Sequence, residues 1–563
     1  MTECYTTVGE YLGKRLVDVG IEHYFSVPGD YNLILLDELL KVDGLEMIGC
    51  CNELNAGYAA DGYARERSGP SALVVTFSVG ALSAVNAVAG AYAEDIPVIA
   101  ISGGPNTNSE AELEVLHHSL GKLDYKYPHE IFSRVTADSV IITDPATAPQ
   151  LIDHAIEIAM RQRKPVYIEI ACNIANALIS APPARTFTSG IQSDPSTLAA
   201  AVEHAAKLLN AAEKPVLLAG VKMRPAGAIE ACRRLLVQTS YAAASMPSAK
   251  SMIEEDCDSY MGIYWGPVSD PGCCEIVEAA DACLAVGPLF TDYSTAGHRT
   301  ALNHDTMIIV EPEAVRFSNM VYTKVAMADF LEALTPQLEK NDGALVTYRR
   351  IQEPPRPRAG EATDTDLSVR FLFDRIRNLI TSDSTLLVET GDSWFNGMDM
   401  PLPGGARFEI QMQYGSIGWS VGATLGYAVS NQNARLVSCI GDGSFQLTAQ
   451  EISTMIRYDM KPIIFLINNG GYTIEVEIHD GPYNNINNWN YSKLIDVFNG
   501  EDGKGWATKV KTQKELDTAI DYAQTHDGLC FIEVLIDRDD CNKNLLRWGN
   551  RVAGNNGRPP RVN

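Results

Sequence analysis

Two short apolar runs, Leu436-Val437-Ser438-Cys439-Ile440 and Ile463-Ile464-Phe465-Leu466-Ile467, flank one segment with helical spacing. Each run has the length and composition of a buried parallel strand. Between them Leu447, Ile452, Met455 and Ile456 share a helical stripe, with Gln450, Glu451 and Arg457 mostly off it. Lys461-Pro462 stops the helix. The unit is strand, helix, strand with a right-handed crossover, so both strands end on the same edge of one sheet. Open α/β sheets bind ligands along that edge.

Both strand ends carry hard oxygen donors. Gly441-Asp442-Gly443-Ser444 follows the first run, and Asn468-Asn469-Gly470-Gly471 ends the second. A carboxylate, an amide oxygen and a backbone carbonyl suit Mg²⁺, whose octahedron is usually completed by water and phosphate oxygens. Gly441, Gly443 and Ser444 leave room for a diphosphate to reach backbone N–H groups at the helix start. Either piece alone reads most simply as a turn or a loop. At opposite ends of one crossover unit they point to a metal and diphosphate site.

The same alternation fills the chain. In the first third, apolar runs at 23–27, 47–51, 72–75 and 98–101 alternate with helical patterns at 33–40, from Glu53 to Arg67, and at 81–93. Asp30, Glu53 and Thr76 each stand at or just past a strand's carboxyl end and should gather on one edge. A Pro/Ser/Thr/Gly-rich stretch, 182–197, reads as a linker. Runs at 215–219, 282–286 and 307–310 mark a second α/β block, which contains no GxGxxG and so carries no dinucleotide fingerprint. A second linker spans 340–366, with Glu353-Pro354-Pro355-Arg356-Pro357-Arg358 inside it. The pattern restarts at 386–390, where Gly391-Asp392-Ser393 echoes Gly29-Asp30-Tyr31. The expectation is an α/β chain of three doubly wound parallel-sheet domains, at 1–182, 196–342 and 364–563.

A chain of 563 residues exceeds one hydrophobic core, in keeping with several domains. The formal net charge of −26, with no basic stripe to offset it, argues against nucleic acid or an anionic membrane as partner. No apolar stretch reaches the ~20 residues of a membrane span, and Met1-Thr2-Glu3-Cys4-Tyr5 does not start a signal peptide. The 12 cysteines form no CxxC and read as core thiols of a reducing, cytoplasmic setting, Cys232 among them as a helix residue. The 550–563 tail is polar and contains proline; it either folds over the site or frays.

The GDG followed a little over twenty residues later by NN resembles the signature of thiamine-diphosphate enzymes, and the resemblance extends over essentially the whole chain. It implies thiamine diphosphate and Mg²⁺ as cofactors. Asp442, the Asn469 side chain and the Gly471 carbonyl then hold the metal against the diphosphate, with Gly443 and Ser444 beside it. It also implies that the first domain binds the aminopyrimidine and the third the diphosphate, on different subunits of a dimer that often pairs into a tetramer. The coenzyme brings the hard step: a carbanion that attacks a ketone and becomes an enamine once CO₂ leaves.

By residue type alone, Glu53 reads equally as a helix-start acid favoured by the dipole and as a functional carboxylate. The resemblance implies that it bonds the coenzyme's pyrimidine. Asp30 reads as an N-cap that also faces the ligand edge. The adjacent pair His117-His118 is unusual among ten histidines, and is similar to the pair of the pyruvate-type 2-keto acid decarboxylases. Of Glu475 and Glu477, two apart on a helix at 473–479, only one can face the coenzyme. The register selects Glu475 as a buried acid with a raised pKa that handles the substrate carboxylate and protons, and leaves Glu477 solvated. Thr390, Trp394, Ile417 and Ile474 match positions that shape the site in that branch, although the apolar three read as ordinary core on their own. Ile417 braces the coenzyme, with the Gly415 carbonyl near its amino group. Bulky Trp394 and Ile474 favour a methyl substituent, in a substrate pocket that the resemblance completes with Asp30, His118 and Glu475. The expected reaction is non-oxidative decarboxylation of pyruvate to acetaldehyde and CO₂. Indolepyruvate or phenylpyruvate decarboxylation is the nearest alternative, then a carboligase such as acetolactate synthase.

Overall fold

The computed structural model describes residues 5–181, 183, 185–354, 357–432 and 434–560. Cys4, Pro182, Pro355, Arg356 and 561–563, which fall in segments discussed above, lie outside the described residues. The runs with strand character are strands: Pro215–Ala219 and Ala282–Val286 begin and end where expected, and Arg435–Gly441 and Ile463–Asn468 extend by a residue or two. They build a six-stranded, a seven-stranded and a second six-stranded sheet. Ser71–Val75 and Val98–Gly104 are buried at every position, as strands covered by helices on both faces must be.

The two six-stranded sheets share one topology. In the first, the strand order is Glu46–Gly49, His23–Ser26, Ser71–Val75, Val98–Gly104, Val166–Ala171, Asp138–Ile142. In the other it is Arg407–Glu409, Ser384–Val388, Arg435–Gly441, Ile463–Asn468, Cys530–Leu535, Trp506–Val510. Numbered along the chain, both read 2-1-3-4-6-5, all parallel. The order reverses between strands one and three, which is where such sheets open a ligand crevice. Asp30 and Thr76 flank that crevice in the first sheet, and Thr390 and Asp442 flank it in the last. The short Gly-Asp echo thus belongs to a repeated architecture. The middle sheet is doubly wound as well, with two antiparallel strands, Ala314–Phe317 and Met320–Thr323, on one edge.

The chain forms two compact units. One contains residues 1–190, 418–433 and 448–461; the other contains 191–417, 434–447 and 462–563. Helices Trp419–Ser430 and Glu451–Arg457 therefore pack with the first sheet's unit. The reason is a backbone-to-backbone crossing. A Cβ on Gly426 would stand 1.9 Å from the Ala59 carbonyl oxygen, and one on Gly62 would stand 2.4 Å from that of Ala423. Asp61 accepts bonds from Arg65 Nε at 2.6 Å and from Trp419 Nε1 at 2.9 Å inside the same contact. Gly426→Ala should therefore cost about 3 kcal/mol or more through overpacking, despite the better helix propensity of Ala. Gly554→Ala is the control, because nothing lies within 4 Å of its Cβ position. Urea unfolding of both variants checks this: the first should unfold earlier than wild type, and the second should not.

Three expectations need correction. The helix after Gly441 is broken into Asp442–Thr448 and Glu451–Arg457; Leu447 is exposed, and Glu451 is completely buried. The 340–366 linker contains the helix Gly343–Ile351, because Ala344, Leu345 and Tyr348 form an apolar stripe against the middle sheet. The first half of the 550–563 tail is the end of the helix Lys543–Asn556, which buries Leu545, Trp548, Gly549 and Val552. The described cysteines are all free thiols; Cys232 is buried in the helix Ile229–Thr239, whereas Cys51 is exposed. No helix among the described residues is long and apolar enough to cross a membrane.

Candidate active site: two half-sites

In the first unit, the three adjacent strands ending near Asp30, Glu53 and Thr76 bring those residues to one edge. Glu53 opens the helix Glu53–Arg67, whose N-cap Asn52 accepts the Asn55 N–H. A Cβ on Gly80 would stand 2.9 Å from Glu53 Oε1 and 3.0 Å from Thr76 Cγ2, so only glycine leaves the carboxylate its place. Thr76 is 5% exposed, and its hydroxyl has no hydrogen-bond partner among the described residues. An orphaned buried hydroxyl beside a half-buried carboxylate fits a polar heterocycle as ligand.

Asp30 is exposed and does not cap the next helix. Asn32 stands at the cap of Leu33–Leu39 and its Oδ1 accepts the Gly29 N–H. Asp30 instead meets the histidine pair: His117 Nε2 is 2.6 Å from Asp30 Oδ2, and His118 Nε2 is 3.5 Å from Oδ1. Neighbouring side chains in extended chain point apart. His118 adopts φ +61°, and this left-handed turn lets both rings face one carboxylate. The Tyr31 ring stacks on His117 at 5.1 Å. A carboxylate touching two imidazoles is an arrangement that can hold and pass a proton.

In the second unit Asp442 starts a helix at the end of Arg435–Gly441 and is 1% exposed. Its Oδ1 accepts the Gly443 N–H and its Oδ2 the Gly470 N–H, both at 2.7 Å. Burial pushes its carboxyl up to about 6 even so. A buried carboxylate with lone pairs to spare and little else to neutralise it suits a cation. The Asn469 side-chain N–H bonds Thr473 Oγ1 at 2.6 Å, which leaves the amide oxygen to other partners. The loop turns close to Asn484: a Cβ on Gly471 would meet the Asn484 carbonyl oxygen at 2.3 Å. A buried carboxylate, a free amide oxygen and a loop carbonyl are the donor types that Mg²⁺ takes. The room expected over Gly443 is taken by the Tyr472 ring, 2.4 Å from its Cβ position, whereas Gly441 faces open space. Ser444 is buried.

The helix after that loop runs Thr473–Ile478, with Ile474 buried. Within the single chain the burial of its two acids is the reverse of expectation. Glu475 is exposed, whereas Glu477 is half-buried and its pKa is raised by desolvation, then by Asp539 and Asp480. The cause is the C-terminal helix, whose Gly549 packs on the Glu477 carbonyl. That helix also brings Trp548 edge-on to Tyr293 at 4.8 Å, and the Tyr293 ring reaches Trp394 at 6.0 Å. Burial raises the Tyr293 phenol's pKa, and Glu475 and Asp292 add to it. Tyr293 and Trp548 thus border the Glu475 side, and sequence reasoning missed both because no motif surrounds them. Trp394 is 0% exposed and belongs to the core. Thr390, Gly415 and Ile417 are all half-buried.

Asp392, the positional counterpart of Asp30, does different work. It accepts the Asn542 N–H at 2.9 Å and Asn396 Nδ2 at 2.6 Å, tying the start of the C-terminal helix to the sheet. Desolvation pushes its carboxyl up to about 7. A carboxyl raised in the folded state keeps its proton where the unfolded chain has lost it, so its ionisation costs stability as pH rises through 7. Asp392→Asn should therefore gain thermal stability relative to wild type between pH 6 and pH 8; a gap that does not widen with pH would contradict this. A cavity of about 360 Å³ in the middle domain, lined by Lys222, Gly287, Pro288, Glu311 and Glu313 among others, contains none of the site residues.

Comparison with known proteins gives three consecutive matches: the thiamine pyrophosphate enzyme N-terminal TPP-binding domain at 6–127, the central domain at 202–338 and the C-terminal TPP-binding domain at 394–534. The chain is 49% identical to pyruvate decarboxylase 2 of Arabidopsis thaliana, over 100% of this chain and 93% of that protein. It is 49% identical to pyruvate decarboxylase 1 of Oryza sativa subsp. indica, over 98% and 92%. With pyruvate decarboxylase 1 of Pisum sativum it shares 48%, over 99% and 95%. By the three matched domains and these full-length relatives, the chain belongs to the thiamine pyrophosphate enzymes, in their pyruvate decarboxylase family, and its coenzyme is thiamine diphosphate.

Proposed function

We propose that this enzyme decarboxylates pyruvate to acetaldehyde and CO₂, using thiamine diphosphate with Mg²⁺, at sites shared between two subunits. The observation that carries the reading is the Asp30–His117–His118 cluster, an acid–base group beside Glu53 on the first sheet's edge. Thiamine diphosphate, when bound, supplies the nucleophilic carbon and the electron sink that loss of CO₂ from a 2-keto acid requires. Glu53 and Thr76 would hold its pyrimidine. Asp442, Asn469 and Gly471 would hold Mg²⁺, and Ser444 and Gly443 would take the diphosphate. Gly415, Ile417, Thr390 and Ile474 would brace the rest.

His117 and Asp30 exchange a proton across their 2.6 Å contact, and His118 shares the load on the other carboxylate oxygen. Glu475 handles the substrate's carboxylate and returns a proton. Asp30, His117 and Glu475 are all exposed in the single chain, and so are the apolar Leu113, Val115, Leu120 and Leu123 around the histidines. Such exposure near a site supports burial against a second copy. A dimer of dimers, a cytoplasmic setting and a place in alcoholic fermentation complete the reading.

Bulk at Ile474 and Tyr293, backed by the buried Trp394 and Trp548, favours a methyl substituent over an aryl one. The test is kcat/KM for pyruvate against phenylpyruvate, with acetaldehyde and CO₂ both measured. We expect pyruvate to be preferred by at least about tenfold, the discrimination one mis-sized hydrophobic group allows. Preference for phenylpyruvate would overturn the substrate assignment, and acetolactate as the product would overturn the reaction.

A further inference from the structure

We infer that Gln411 is a positioning residue for the coenzyme loop Gly415-Ser416-Ile417, a role that rests on the reading of Gly415 and Ile417 as coenzyme contacts. Gln411 lies just past the short edge strand Arg407–Glu409 of the last sheet and is 1% exposed. Its Oε1 accepts the Ser416 backbone N–H at 2.9 Å. Only an oxygen can accept there, so the orientation of the amide is fixed. The other end, Nε2, is buried and has no hydrogen-bond partner among the described residues.

The loop needs such a tether. Gly415 has φ +65° and Gly418 has φ +86°, so the segment bends at both ends in a conformation that costs glycine its large conformational freedom. The segment lies outside regular strand and helix. A side chain five residues back, itself held immobile by burial, grips the N–H between the two proposed contact residues. Sub-ångström placement of such residues governs how well a bound group is oriented. An orphaned buried donor is costly in a finished protein. Here it gives Gln411 a second valence, an amide N–H kept for the bound state.

Three variants test the inference: Gln411→Met removes both functions at similar volume, Gln411→Glu keeps an oxygen for Ser416, and Ile417→Ala reports on the loop itself. The readouts are the dissociation constant of thiamine diphosphate at saturating Mg²⁺, by quenching of tryptophan fluorescence, and the urea midpoint of the apoprotein. The loss of one buried hydrogen bond with its orphaned partner predicts coenzyme binding weaker by roughly tenfold or more in Gln411→Met. Gln411→Glu should recover part of that loss, and the apoprotein midpoints should stay close to wild type. Wild-type coenzyme affinity in Gln411→Met, alongside weakened Ile417→Ala, overturns the role of Gln411 alone. Unchanged affinity in both variants overturns the reading of the loop. An affinity loss in Gln411→Met that only tracks a fall in the urea midpoint, with no recovery in Gln411→Glu, makes Gln411 an ordinary core residue and likewise overturns the inference.

Discussion

Glu53→Gln is expected to lower kcat by at least about a hundredfold, the usual worth of a positioned acid–base group, while thiamine diphosphate remains bound. Gln keeps the size of the side chain and one hydrogen-bonding oxygen, so the cleft that Gly80 and Thr76 shape around it stays filled. What it loses is the negative charge and the ability to take a proton at that atom. The loss belongs in kcat rather than in KM, because the variant removes an interaction of the reaction and not one of substrate binding. Coenzyme dissociation and single-turnover CO₂ release, measured side by side, separate the two. A variant that turns over at more than a tenth of the wild-type rate would remove Glu53 from the mechanism.

The fold was largely legible because buried parallel strands are written as local apolar runs. Pro215–Ala219 and Ala282–Val286 are reproduced residue for residue, and the small-residue helix Glu53–Arg67 begins and ends where its pattern does. Strand ends then give the candidate site residues, since an acid two or three positions past a run must reach the carboxyl edge. What escaped depends on contacts distant in sequence. Glu451 stands mostly off the apolar stripe of its segment, yet it accepts the Cys51 N–H, 400 positions away, with 0% exposure. Its carboxyl is raised by that desolvation. Glu477 looked solvated until the C-terminal helix covered it. The end of that helix, 550–556, was read as tail because its composition there is polar, although Val552 continues the helical spacing of Leu545 and Trp548. The Gly-Asp echo was too short to weigh in sequence; the shared 2-1-3-4-6-5 strand order gives it meaning, and the fates of Asp30 and Asp392 show that shared position does not impose shared chemistry.

The central claim is that two half-sites from different subunits make one decarboxylase. It is tested by co-expressing Glu53→Gln and Glu475→Gln chains under two affinity tags and purifying the hybrid. One substitution disables the first domain's half of a site and the other disables the last domain's half. Each parent homodimer is broken at both of its sites. If sites are shared across a two-fold interface, the hybrid has one site with both defects and one with none. CO₂ release from pyruvate by the hybrid should then return to about half the wild-type value per dimer, given two equivalent sites related by the symmetry axis. A hybrid as inactive as its parents, with coenzyme bound and the dimer intact, would contradict the account.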